Sequence, residues 1–259
     1  MSGGNLYLSG LKNACVFCRK TGVPLRQCAG CKVAEYCSKE CQKANWKQHK
    51  PHCQQTKQDK EDFAAYSASD PIAGKRVKAF VKFNQIWSGA LFAWAACAVD
   101  LGTMVERDPM YLAKHSFYMT IERRKGVPLE ASVKTAYKVL TAGMRPNEDI
   151  LADFTRLDAQ TGYTGAKTRF ESQAKQAKPG SVIVVVVEPD YYLLSVMVDS
   201  IMKCVPEEDL KVETWFRQPI LTSALSLMWL QSCKESILKG NTSGYAKLIR
   251  DVKQATGVD

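Results

Sequence analysis

The stretch CVFCRKTGVPLRQCAGCKVAEYCSKECQKANWKQHKPHC, residues 15–53, decides how this chain is read. Its spacing is Cys15-x2-Cys18-x9-Cys28-x2-Cys31-x5-Cys37-x3-Cys41-x7-His49-x3-Cys53. Seven cysteines and one histidine make eight donors within 39 residues. Structural zinc takes four N or S donors in a tetrahedron, so eight donors fill two sites with none left over. A C-x2-C pair grips one ion because a tight turn brings both sulfurs to the same point. Eight donors in a row fill two sites either consecutively or alternately, and spacing leaves both open. His52 beside Cys53 is a second candidate donor, but the Trp46-x2-His49-Lys50 context favours His49.

Metal ligation fits the rest of the chain. The other cysteines, Cys97, Cys204 and Cys233, are isolated in apolar or helical settings and read as core thiols. Residues 1–11 have neither a basic start nor a long apolar core, so no secretory signal is expected. Dense cysteines without such a signal point to metal rather than disulfides, in an intracellular compartment, nucleus or cytoplasm. Apolar residues between the donors are few, so metal-ligand bonds are expected to replace a core that so short a segment cannot build.

The pattern resembles the MYND zinc-finger family. The likeness rests on Cys15, Cys18, Cys28, Cys31, Tyr36-Cys37-Ser38, Cys41-Gln42, Trp46, His49-Lys50 and Cys53. It implies alternation: Cys15, Cys18, Cys37 and Cys41 hold one Zn2+, and Cys28, Cys31, His49 and Cys53 hold the other. Ser38 reads as a helix N-cap, with residues 39–49 helical and Pro51 ending the helix. Gln42, Trp46 and His49 then share one stripe. In MYND domains the matching Gln and Trp help to line a groove for short proline-containing peptides. The resemblance thus makes Gln42 and Trp46 candidate peptide contacts and a protein the expected partner.

The charge balance favours that reading over nucleic-acid binding. The chain carries a formal +10, spread along its length. Between Cys15 and Cys53, eight Lys or Arg face two Glu. Seven thiolates, offset in part by two Zn2+, leave the loaded finger only mildly basic. A nucleic-acid binder needs a concentrated basic face, so this function ranks below protein recognition.

Behind the finger, residues 54–69 read as a polar linker or helix extension, and 70–259 as an α+β domain. Ser69-Asp70-Pro71 looks like a helix start. Residues 72–104 are expected to be helical, with Ser88-Gly89 a break. His115–Arg123 alternates Phe117, Met119 and Ile121 with polar neighbours, as a half-buried strand does. Residues 132–142 read as a strand from alternating β-branched and aromatic positions. A short helix opens at Pro146-Asn147, and 167–178 form an amphipathic one. Residues 181–187 are a strand. Residues 191–200 either pair with it across Glu188-Pro189-Asp190 or form a helix. Helices split near Pro219 occupy 209–239, and 244–254 add a last one. A small sheet flanked by helices is the expected architecture. Similar layouts occur among fungal MYND-containing proteins.

The most apolar runs, 90–99 and 182–187, are shorter than the roughly 20 residues a membrane span needs. No phosphate-binding loop or nucleophile elbow is present. A MYND-linked lysine methyltransferase would bring an Asn-His motif and a C-terminal cysteine cluster, and neither occurs after the finger. Beyond the finger the sole histidine is His115, and Glu207-Glu208-Asp209 reads as a solvated turn. No catalytic residue is assigned. A cryptic enzyme in the C-terminal domain and a basic nucleic-acid binder are the alternatives to an interaction protein.

Overall fold

A computed structural model describes residues 14–101, 108, 110–161, 165–210, 212–215 and 218–258, apart from the side chains of residues 52, 55, 59, 160, 161 and 208. His52 and the 102–104 end of the expected helix therefore lie outside the description. The chain forms two compact units, Met1–Lys75 and Arg76–Asp259.

In the first unit, β1 (Arg26–Gln27) pairs antiparallel with β2 (Glu35–Tyr36). Between them Cys28 and Cys31 sit on a tight knuckle, closed by Lys32 N–H donating to the Cys28 carbonyl at 2.9 Å. Arg19 N–H closes the Cys15 knuckle in the same way, at 2.9 Å. Arg19 and Lys32, each the residue after a C-x2-C pair, both take positive φ, 61° and 57°. For a residue with a Cβ that conformation costs roughly 1–2 kcal/mol, so each knuckle holds a strained turn in place.

The long helix α1 spans Lys39–Ser69. Ser38 caps it as expected, its Oγ accepting from Cys41 N–H at 3.2 Å. Pro51 does not end it. His49 and Cys53 lie four residues apart on one face and straddle Pro51, so ligation by both requires helical backbone through the proline. The following Gln, Lys, Glu and Ala residues favour helix, which offsets part of the proline penalty. Residues 54–69 are thus helix extension. Asp70 ends α1, its N–H donating to the Tyr66 carbonyl, and starts α2 (Pro71–Ala98) by accepting from Ala73 N–H at 2.9 Å.

The second unit is built on a four-stranded mixed sheet, together with a short helix, α3 (Tyr111–Lys114), before its first strand. The strands are β3 (His115–Arg123), β4 (Tyr137–Pro146), β5 (Ser181–Glu188) and β6 (Leu193–Ser200), in the order β4-β3-β5-β6. β3 and β5 are parallel, and both outer strands run antiparallel to their neighbours. Residues 191–200 therefore resolve as strand, from Leu193, with Ser181 opposite Ser200. Between β4 and β5 run α4 (Asn147–Thr161) and α5 (Ala166–Gln176). After β6 come α6 (Pro219–Lys239) and α7 (Gly244–Thr256).

Each face of the sheet carries a core. Tyr118, Ile183, Val185 and Val187 meet Ile150 and Phe154 of α4 and Phe170 of α5. Phe117, Met119, Ile121, Val184 and Val186 face the opposite way, with residues of α2, α6 and α7. β5 is buried on both faces, which is why it reads as an unbroken apolar run. The fold class is α+β, as expected.

Several boundaries differ from the sequence reading. α2 runs straight through Ser88-Gly89. Trp87, Ala90 and Leu91 around them are all at most 4% exposed, and burying such side chains is worth more than the roughly 1 kcal/mol a mid-helix glycine costs. β4 begins at Tyr137, not residue 132. Its partner β3 ends at Arg123, opposite Tyr137, so residues 132–136 have no strand to join. They form a turn instead, with Ala136 accepting from Arg124 N–H at 2.8 Å. The helix after Pro146 has 15 residues and is not short. Residues 208–210 and 212–214 are 3-10 turns, so α helix starts at Pro219 itself.

Candidate metal centres

The zinc-binding donors converge as two quartets. Cys15, Cys18, Cys37 and Cys41 form one, and Cys28, Cys31, His49 and Cys53 the other. Within each quartet the four donor atoms lie within 4.8 Å of one another. The quartets alternate along the chain, and the fold shows why. The β1–β2 hairpin carries the Cys28-x2-Cys31 knuckle to the second turn of donors on α1, while the strand end at Tyr36 delivers Cys37 to the Cys15 knuckle. Val16 N–H donates to the Glu35 carbonyl at 2.9 Å and holds those two segments together.

The spacing fits zinc closely. A tetrahedron with Zn–S of about 2.3 Å has an S–S edge of about 3.8 Å, and an S–N edge of about 3.6 Å. Cys18–Cys37 and Cys37–Cys41 sulfurs are 3.5 Å apart, and Cys28–Cys53 are 3.7 Å apart. Cys31 Sγ lies 3.6 Å from His49 Nε2. Disulfide sulfurs would stand about 2.05 Å apart, and all ten cysteines are free.

The donors' acidity points the same way. Burial raises the Cys15 thiol, but backbone N–H groups of Cys18, Cys37 and Phe17 outweigh it and bring it down to about 6. Cys28 reaches about 6 by the same balance, with Cys31 N–H and His49 on the lowering side. Their neighbours move the other way. Cys18 and Cys41 push Cys37 up to about 12, and burial with Cys28 pushes Cys53 up to about 11. Packed thiols resist full ionisation among themselves, whereas a dication neutralises them and holds all as thiolates.

Around the donors stand groups whose contacts the sequence does not show. Tyr36 is 1% exposed and donates to Asn45 Oδ1 at 3.0 Å. Its ring meets His49 edge-on at 5.9 Å, fixing the imidazole plane from the strand side. Lys60, far along α1, donates to the Cys31 carbonyl at 2.5 Å and ties the helix extension to the knuckle. Gly30 has a sharper role. A Cβ there would stand 2.9 Å from Cys53 Sγ. Gly30→Val is therefore expected to weaken the Cys28 quartet selectively: chelator-competition release should show one fast and one slow zinc, where the unchanged chain releases both slowly.

Trp46 stands over the rim of that quartet, 42% exposed, its ring 6.0 Å from His49 and inclined at 61°. Gln42, Lys43 and Trp46 line an open groove on α1. Both candidate peptide contacts thus sit on one surface feature.

The other reactive groups are engaged elsewhere. Burial raises the thiols of Cys97, Cys204 and Cys233. His115 stacks on Tyr111 at 4.1 Å, with Nδ1 3.0 Å from the Tyr111 carbonyl. Glu207 accepts from Tyr245 Oη at 2.8 Å, and Asp209 pairs with Arg250 at 3.2 Å. Among the described residues no helix is long and apolar enough to cross a membrane.

Comparison with known proteins agrees with the geometry. The family model described as MYND finger matches residues 15–53. The "SET domain and MYND-type zinc finger protein 6" of Schizosaccharomyces pombe is 39% identical over 58 residues, 22% of this chain and 12% of that protein. The "SET domain-containing protein 14" of Caenorhabditis elegans is 37% identical over 51 residues, 20% of this chain and 12% of that protein. The chain thus spans about an eighth of the length of these relatives. No solved structure matches. Donor spacing, alternating quartets and family match converge on one conclusion: residues 15–53 of this chain are a MYND finger, a two-zinc protein-interaction domain.

Proposed function

We propose that the finger recruits a protein partner by holding a short proline-containing segment against Trp46 and Gln42, in a reducing intracellular compartment. The observation that carries this reading is the exposure of Trp46 at the rim of a zinc quartet that fixes its helix. A tryptophan face packs well on a proline ring, and the Gln42 amide can bond an extended backbone. The division of labour that goes with it is a finger at 15–53, a helix extension at 54–69 and an α+β domain at 70–259. That domain serves as a scaffold in this reading, because its histidine, thiols and acidic run are tied into structural contacts. The SET domains in the relatives' names belong to those proteins, and the similarity to this chain is confined to the finger region.

Trp46→Ala tests the groove. It should leave zinc at two per chain and cost at least about tenfold in affinity for a proline peptide, as truncating an aromatic anchor does. Cys28→Ser should lose one zinc and the partner together. Undiminished peptide binding by the zinc-replete Trp46→Ala chain would refute the groove.

A further inference from the structure

We propose that the groove prefers a proline segment flanked by acidic residues, an inference that rests on the groove reading above. The argument is the placement of charge around Trp46. At about 100° per residue, Lys39, Lys43, Trp46 and Lys50 fall within about 60° of one another on α1, and Lys47 lies just beside them. All four lysines are exposed. None of them is in an ion pair among those recorded for the described residues, whereas Lys57 further along α1 is paired with Glu61 at 4.0 Å.

The carboxylate within the same stretch of α1 is Glu40. It stands in the first turn of α1, where the helix N-terminus attracts its charge. Most of the finger's other negative charge is on the thiolates of the two quartets, where zinc offsets much of it. The mild net charge of the loaded finger therefore hides a segregation. Four of the finger's eight Lys and Arg share the face that also offers an exposed tryptophan and a groove.

Such a face selects by charge as well as by shape. A proline ring on Trp46 fixes the peptide, and residues on either side of it pass between Lys39 and Lys43 at one end and Lys47 and Lys50 at the other. Asp or Glu there gains, Lys or Arg there is repelled. Exposed pairs are each weak, but several acting together give a preference of about tenfold, with the steep salt dependence of charges in water.

The test uses the full zinc-loaded chain and three labelled peptides with one proline-containing core, flanked by Glu, by Gln or by Lys. Fluorescence anisotropy at about 50 mM salt should give an affinity order Glu, Gln, Lys with about tenfold per step, shrinking to within about twofold at about 500 mM. K43E/K47E, checked for two zinc ions per chain, should abolish the order. Equal binding of the three peptides overturns the acidic preference and leaves the groove standing. Binding by none of them overturns the groove and this inference together. A short single-stranded DNA that binds through the same lysines and outcompetes the Glu peptide overturns it in favour of nucleic acid.

Discussion

Excess chelator is expected to strip two zinc ions from the chain and unfold residues 15–53, while Arg76–Asp259 keeps its cooperative transition. The finger's own core consists of Cys15, Cys28, Cys31, Cys53, Ala34 and Tyr36. Four of those six are donors, so removing the metal removes the reason they cluster. A structural zinc contributes on the order of 10–16 kcal/mol of apparent binding free energy in small domains, more than the roughly 5–15 kcal/mol by which whole domains are stable. The strained turns at Arg19 and Lys32 lose what holds them. α1 should fray as well. Its 31 residues are polar over most of their length, and Lys60 reaches the Cys31 carbonyl only while the knuckle is formed. A helix cut loose from its tertiary anchors is marginal in water. The second unit needs no metal, since its cores are aliphatic and aromatic on both sheet faces. A zinc assay, far-UV circular dichroism and amide exchange on the same sample check this. One zinc per chain, or a loss of exchange protection in the sheet along with the finger, contradicts it.

How much of this was readable beforehand follows from the kind of signal each part carries. The donors were legible because metal chemistry fixes residue type and spacing together. Their pairing was legible only through the resemblance to MYND fingers, because spacing leaves both arrangements open and alternation depends on the β1–β2 hairpin carrying one knuckle to α1, a tertiary event. Pro51 misled for a related reason: a local rule about proline was outvoted by two ligands four residues apart on one helix face. β5 was legible from its apolar run, since burial on both faces leaves no other pattern. The start of β4 was not, because the alternation from Val133 onward is real and only the end of β3 decides where pairing begins. Tyr36 was legible as part of the finger's pattern, but its hydrogen bond to Asn45 and its hold on the His49 ring arise only when β2 packs on α1. Lys60 was invisible, since nothing about one lysine in a polar helix announces a carbonyl 29 residues earlier.

Glu188→Gln should make the second unit more stable at pH 8 and change it little at pH 5. Glu188 ends β5 and is 1% exposed, on the sheet face that carries Val184 and Val186. Arg76 approaches from α2, its guanidinium 3.8 Å over the Tyr191 ring, and Arg123 from the end of β3. Yet Glu188 Oε2, Arg76 Nε and Arg123 Nε and Nη1 are all buried without a hydrogen-bond partner among the described residues. Burial pushes the Glu188 carboxyl up to about 7, Arg76 and Arg123 oppose it, and Asp190 adds to it. A carboxyl raised on folding binds its proton more tightly in the native state. Its stabilising effect is complete below the unfolded pKa, fades as pH rises through about 7, and is gone above that. The full shift corresponds to roughly 3 kcal/mol as an upper bound, and about 2 kcal/mol is expected after relaxation around the charge. Gln cannot ionise, so the variant should lack this decline while keeping the shape of the site. Urea denaturation at several pH values can follow it through tryptophan emission, because Trp87, Trp94, Trp215 and Trp229 are all buried in this unit. The difference between the two chains should grow from pH 5 to pH 8 in the variant's favour. Parallel stability curves would mean that the carboxylate is solvated or fully paired in solution, and that the two arginines satisfy it after all.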